Sequence, residues 1–345
     1  MPRSSVASAT RVVLASTRER MKLGKVLVTG ATGFVGRALV PALVEAGYEV
    51  RATTRGVSRA ASTAGVEWVT CDVQQRSQVS RSMAGMDAVF FLVHAMGGGA
   101  HDYGRVERQG ALDLREAAAQ AGVQRIVYLG GVAPAGEPSE HLRSRLAVGE
   151  VLRAGSVPTI ELRASMIIGN GSASWQIVRD LALRLPAMVL PSWTASRTCP
   201  IALEDVVVAL VRALELPGSD SVWYDIPGPD TVSARQMLST IAELRGRRVP
   251  GVAVPFLSVS LSSWWLKLVT RADFSLAREL VLGFEGDLLP ANDRYWALIQ
   301  HIPKWSFAAA ARKAMAEEAV DPNLRGLAGK LEEAVVQLVS PKLRR

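Results

Sequence analysis

The chain has 345 residues, 49% hydrophobic and 21% charged, a formal net charge of +8 and two cysteines, Cys71 and Cys199. These are proportions of a water-soluble globular protein, and neither cysteine has metal-ligand spacing around it, which excludes a disulfide scaffold, predicts no metal and sets a reducing, cytoplasmic compartment as the expectation. Most of the charge sits at the ends, +4 in residues 1–22 and +3 in residues 342–345, so the body carries about +1 and no nucleic-acid groove is implied.

Residues 1–23 read as a basic, flexible segment, rich in Ser, Ala and Arg. They lack the apolar core of a secretory signal; a transit-like peptide and a start at Met21 are alternative readings. Strands are predicted at Lys25–Thr29, Glu49–Thr54, Glu67–Thr70, Ala88–Val93, Arg125–Leu129 and Thr159–Arg163, and helices at 34–46, 77–84, 105–120 and 140–154. Apolar strands alternating with helices give an α/β fold: a doubly wound parallel sheet covered on both faces. Beyond residue 165 helices are predicted near 174–185, 204–215, 233–245, 275–283 and 307–318, separated by Pro-containing segments. The expected organisation is a sheet domain over 24–165, with 201–216 returning to it, a smaller and mostly helical substrate lobe over 166–320, and a C-terminal helix and basic tail over 321–345. From Phe256 the apolar residues, Trp264 and Trp265 among them, line one helical face. That face either packs on the core or makes a peripheral membrane contact; no run is long and apolar enough to span a membrane.

The most specific motif is Thr29-Gly30-Ala31-Thr32-Gly33-Phe34-Val35-Gly36, between the first strand and the first helix. Gly30 permits the turn, Gly33 lets backbone approach a pyrophosphate, and Gly36 lets the helix lie close on the sheet. The helix N-terminus then offers amides and partial positive charge to phosphates. This is a Rossmann-type dinucleotide site. An acid that grips the adenosine ribose is expected about 20 residues later, but the second strand ends Thr53-Thr54-Arg55. Arg55 suits a ribose 2′-phosphate, so NADP(H) is preferred, with NAD(H) as the alternative; Arg51 and Arg59 are secondary candidates. Asp72 and Val73 follow the third strand, where adenine is expected. Val93, His94 and Ala95 end the fourth strand at the pocket edge.

These residues, together with LVHAMGGG, RIVYLGG, ELRASMIIG and RTCPIALEDVV, resemble the extended and atypical short-chain dehydrogenases/reductases, in the NmrA-like branch. The likeness covers about residues 24–320 and extends to the nucleotide-binding accessory subunit of respiratory complex I. It implies a Ser or Thr after the fifth strand and a Tyr-x-x-x-Lys on the next helix. The chain instead has Tyr128-Leu129-Gly130-Gly131 and His141-Leu142-Arg143-Ser144-Arg145. His141 and Arg145 share one helical face at i, i+4 spacing. They are the candidate acid/base and ribose-binding residues, the alternative being a purely supporting pair. Ser139 and Ser144 are lesser hydroxyl candidates. Met96, Ser165, Trp175 and Arg197 are candidate substrate contacts.

The expected function is an NADPH-dependent reductase of a small lipophilic carbonyl, enone or quinone-like substrate. The alternative is a non-catalytic redox sensor or assembly subunit; sugar-nucleotide epimerisation is disfavoured by the missing tyrosine and lysine.

Overall fold

The computed structural model describes residues 23–56, 64–94, 103–184, 188–190, 192–247, 251–253 and 286–320. In chain order the first unit comprises β1 (Lys25–Thr29), α1 (Phe34–Glu45), β2 (Glu49–Thr54), β3 (Val66–Thr70), α2 (Arg76–Met83), β4 (Ala88–Phe91), α3 (Tyr103–Ala121), β5 (Arg125–Gly131), α4 (Glu140–Arg153) and β6 (Thr159–Ala164). These follow from pattern. β1, β4, β5 and β6 are buried almost throughout, as central parallel strands with helices on both faces must be. α1 buries Gly36, Leu39, Val40 and Leu43, one stripe at helical spacing.

The chain continues through β7 (Ile167–Ile168), α5 (Ala173–Arg184), β8 (Met188–Leu190), β9 (Arg197–Thr198), β10 (Ile201–Ala202), α6 (Leu203–Ala213), β11 (Val222–Asp225), β12 (Val232–Ser233), α7 (Ala234–Leu244), β13 (Gly251–Ala253), α8 (Arg294–Leu298) and α9 (Phe307–Val320). The main sheet has seven strands in the order β11-β6-β5-β4-β1-β2-β3, and every pairing in it is parallel. The strand order reverses between β1 and β4, the place where such sheets open a binding crevice.

One core face joins α1 and α6 to the sheet and takes in Tyr295 and Trp296 of α8. The opposite face is filled from α2, α3 and α4. A separate cluster from α5, α7 and α9 builds the second lobe. The sequence reading missed β11. Its four residues lie beyond the expected return helix, and the strand is only half-buried until Asp225. What fixes it is tertiary: Tyr295 stacks near Tyr224, with ring centroids 5.3 Å apart, and the Arg163 guanidinium lies 4.3 Å over the Trp223 ring. The expected helices starting at Phe256 and over 275–283, both terminal segments, Arg59, Ala95 and Met96 lie outside the described residues. Among the described residues no helix is long and apolar enough to cross a membrane.

Arg125, at the start of β5, is 1% exposed. Its guanidinium donates to the carbonyls of Ala213 (3.2 Å), Leu214 (3.1 Å), Leu216 (2.6 Å) and Gly218 (2.8 Å). One buried cation thus collects the free carbonyls at the end of α6 and aims the chain into β11. Arg125→Met leaves those carbonyls without a donor. Urea unfolding is expected to show a loss of about 3 kcal/mol; unchanged stability contradicts this role.

Candidate active site

β1 delivers the glycine turn to the reversal point. Thr29, 1% exposed, donates its hydroxyl to the Phe90 carbonyl at 3.0 Å, tying β1 to β4. Gly30 has φ +72, and a Cβ there meets the Leu92 carbonyl at 2.9 Å. The Gly33 amide closes the turn on the Gly30 carbonyl at 2.9 Å. A Cβ on Gly36 would stand 2.3 Å from the Gly30 oxygen, so only glycine lets α1 start here. Gly33 caps α1 with no side-chain hydrogen bond, and the first turn holds no acidic residue. The amides of Phe34, Val35 and Gly36 therefore lack intrahelical partners and side-chain competitors. This cradle fits a pyrophosphate. Thr32 is half-buried beside it.

At the end of β2, Thr54 is buried and exchanges hydrogen bonds with the Gly56 backbone at 2.9 and 3.3 Å. Arg55 next to it is exposed. Arg51 is not a phosphate ligand: its guanidinium is held by Glu67 at 2.8 Å and by the Ser82 and Ala84 carbonyls. Asp72 caps the turn into α2, accepting from the Gln74 amide at 3.0 Å, and Val73 packs on the α2–α3 core. A cavity of about 370 Å³ opens beside the start of α1, between Phe34, Arg37, Asn170 and Leu203.

On the other side of the reversal point, β4, β5 and α4 bring His94, Tyr128, His141, Ser144 and Arg145 together. Arg145 donates to the Leu129 carbonyl at 3.0 Å, and Tyr128 donates its hydroxyl to the Arg145 carbonyl at 3.1 Å. The Arg145 Nε is buried with no hydrogen-bond partner. A Cβ on Gly131 would lie 3.0 Å from Leu142 Cδ2 and 3.5 Å from Arg145 Nε. Leu142 and Arg145 of α4 thus pack directly against the end of β5, where the chain carries glycine in place of the implied hydroxyl. Burial, then the Arg145 cation, drives the His141 imidazole down to about 3. Burial, then Arg145 and His141, drives His94 well below the ordinary histidine value. Both rings are neutral at physiological pH, so His141 cannot serve as a resting imidazolium acid. Burial raises the Tyr128 phenol well above its ordinary value.

Two further groups join this cluster without having been singled out in the sequence. Glu107 of α3 is 7% exposed. Its carboxylate accepts a short hydrogen bond from the Ser144 hydroxyl and lies 4.0 Å from His94 Nδ1. Its signal was available: Glu107 shares a buried helical stripe with Gly110, Ala111 and Leu114, where an acid is out of place unless partnered. Tyr128 was equally hidden within an apolar strand.

The expected substrate contacts fare less well. Trp175 is a correction: it is 0% exposed, sits in the core of the second lobe and donates its Nε1 to Glu318 at 2.8 Å. It lines no pocket. Arg197 is engaged by Asp287 at 2.8 Å, so its guanidinium already has a carboxylate. Ser165 donates to the Cys199 carbonyl at 2.8 Å and ties β6 to the strand pair of the lobe.

Residues 30–186 match the family model described as NAD(P)H-binding. A ceramide reductase of Caulobacter vibrioides is 28% identical over 271 residues, 75% of this chain and 84% of that enzyme. A (4-alkanoyl-5-oxo-2,5-dihydrofuran-3-yl)methyl phosphate reductase of Streptomyces griseus is 28% identical over 270 residues, 77% of this chain and 90% of the other. A 3-beta-hydroxysteroid dehydrogenase of Mycolicibacterium neoaurum is 38% identical over 118 residues, so the match spans about a third of that enzyme (32%). Among solved structures, a nucleoside-diphosphate-sugar epimerase of Staphylococcus aureus superposes with TM-score 0.68 at 14% identity, covering 84% of this chain and 99% of that one; at that identity the likeness is one of fold. Sheet order, glycine cradle and these matches agree on an NAD(P)H-binding Rossmann domain, and over about three quarters of its length the chain is similar to reductases.

Proposed function

We propose that the chain is an NADPH-dependent reductase of a small lipophilic carbonyl or conjugated carbonyl compound. The observation that carries this reading is the uncapped, acid-free N-terminus of α1 at the β1–β4 reversal, with an exposed Arg55 and no acid at the end of β2. The amides of Phe34, Val35 and Gly36 hold the pyrophosphate, and Arg55 takes the ribose 2′-phosphate in a charge-assisted pair. Reduced nicotinamide supplies the hydride. Arg145, whose Nε is buried and unpartnered, orients ribose hydroxyls and steadies negative charge that develops on a reacting oxygen. The lipophilic substrate class is supported by the ceramide reductase and the alkanoyl-furanone phosphate reductase among the relatives. A second reading, a protein that holds NAD(P)H without turning it over, draws on the filled space at Gly131.

NADPH is expected to bind at least about tenfold more tightly than NADH, because the 2′-phosphate gains an ion pair of about 1.4 kcal/mol or more. Arg55→Ala is expected to erase most of the difference. Equal affinities in the wild type contradict the NADPH assignment. NADPH oxidation followed by absorbance over a panel of aldehydes, enones and quinones separates the two readings: turnover is expected with at least one, and none with any favours the holder.

The neutral imidazoles set an acid limit on folding. The unfolded chain binds a proton on His141 near its ordinary value of 6.5, whereas the folded chain binds it only near about 3. Stability is complete above pH 6.5 and is lost as pH falls toward 3, at up to about 1.4 kcal/mol per pH unit for this group. Urea unfolding at pH 7.5, 6 and 5 is expected to show a shallower decline in His141→Gln than in the wild type. Parallel declines contradict the buried neutral state.

A further inference from the structure

We propose that His94 and Glu107 form a carboxylate–imidazole pair that carries the proton exchanged with substrate, His94 Nε2 being the proton-exchanging atom and Glu107 the residue that orients it. The proposal rests on the oxidoreductase reading above and supplies the proton-transfer group that His141, Arg145 and Gly131 do not.

The argument starts from position. His94 follows β4 at the carboxyl edge of the sheet, beside the glycine cradle. Its side chain is 20% exposed, whereas that of Glu107 is 5% exposed. The ring thus stands between a buried carboxylate and the open edge. Its Nδ1 is the nitrogen that faces Glu107 Oε1, at 4.0 Å. The other carboxylate oxygen is held by the Ser144 hydroxyl from α4, and Ser144 is itself buried. The Tyr128 ring meets the imidazole edge-on, with centroids 6.4 Å apart at 64°. A carboxylate facing Nδ1 favours a hydrogen on that nitrogen, and this leaves the lone pair on Nε2.

The neighbouring groups are poorer candidates. Arg145 presents only hydrogen-bond donors and offers no lone pair to accept a substrate proton. The Tyr128 hydroxyl is spent on the Arg145 carbonyl. His141 has no carboxylate within ion-pair distance among the described contacts, whereas His94 has one. Among the described residues, the charged and titratable groups around His94 are Glu107 from α3, His141 and Arg145 from α4, and Tyr128 from β5. Burial, Arg145 and His141 together hold the ring neutral, which is the form that accepts a proton.

In alcohol oxidation the substrate O–H bond breaks and its proton bonds to Nε2. The adjacent C–H bond releases its electron pair as hydride to the oxidised nicotinamide nucleotide, and the C=O π bond forms. In reduction the hydride bonds to the carbonyl carbon, the π pair moves to oxygen, and the proton comes from the minor imidazolium form, in which water has first protonated Nε2; the ring then returns to its neutral resting state. Above the histidine pKa, kcat/KM for reduction is expected to rise about tenfold for each pH unit lowered, while oxidation stays level.

The first readout needs neither cofactor nor substrate. Histidine ¹⁵N NMR of the free protein at pH 7 is expected to show His94 neutral with its hydrogen on Nδ1, and Glu107→Gln to shift that preference toward Nε2. The isosteric change keeps an acceptor for Ser144, and circular dichroism confirms the fold. With a substrate from the panel, His94→Gln is expected to lower kcat by about 10²-fold or more and Glu107→Gln by about tenfold, with NADPH affinity within about threefold of wild type. A wild-type His94 carrying its hydrogen on Nε2, or a tautomer and kcat both indifferent to Glu107→Gln, overturns the pair. Failure of the wild type to bind NADPH overturns the oxidoreductase reading instead, and the NMR result still judges the pair.

Discussion

The closest backbone contact at the site is the one on which the rest depends. The Gly30 carbonyl sits where a side chain at position 36 would have to be, 2.3 Å from an added Cβ. Because no side chain is there, α1 begins directly against the end of β1 and points its free amides at the place where strand order reverses. Had the helix started further out, the amides would face solvent and a phosphate would gain little from the dipole. The same tight turn sets Gly30 against the Leu92 carbonyl, so the segment leading to His94 is fixed by the cradle. Cofactor site and proton-transfer candidates are therefore one piece of geometry.

A second close approach shapes the other half of the site. Glu161 of β6 is 0% exposed and bonds Arg153 of α4 and Arg163 of its own strand, each at 2.8 Å. Its carboxylate lies so near Gly149 of α4 that a Cβ there would be 2.5 Å away, and a Cβ on Gly130 would be 2.8 Å away. A buried carboxylate between two guanidiniums tolerates its lost hydration only with such geometry. The consequence is functional. Glycine at 130 makes room for Glu161 and glycine at 149 lets α4 lie close to the sheet, while glycine at 131 makes room for Leu142 and Arg145. Gly130, Gly131 and Gly149 are therefore the packing condition that brings His141, Ser144 and Arg145 of α4 against the end of β5.

Much of this was legible in the sequence, for reasons that are local. β1 and β2 follow from unbroken or alternating apolar runs ended by turn residues, and the glycine cradle from spacing alone. What sequence could not supply was pairing across distance. β11 depends on Tyr295 and Arg163, far from it along the chain. Glu107 matters because Ser144 and His94 meet it, which no spacing rule reports. Arg51 looked like a phosphate helper until Glu67 and the end of α2 were seen to hold it. Trp175 is a candidate substrate contact by sequence, but its apolar bulk fills the second lobe, and its one polar atom is satisfied by Glu318; an aromatic at helical spacing is as readily core as pocket.

The central claim is that the amides opening α1 hold the pyrophosphate of a nicotinamide nucleotide. Isothermal calorimetry of the folded protein with NADPH, NADP⁺, NADH and NAD⁺ tests it most directly. The expected result is saturable one-site heat for at least one of them, lost when Gly33→Asp places a carboxylate in the cradle. Absence of heat for all four, or binding indifferent to Gly33→Asp, contradicts it.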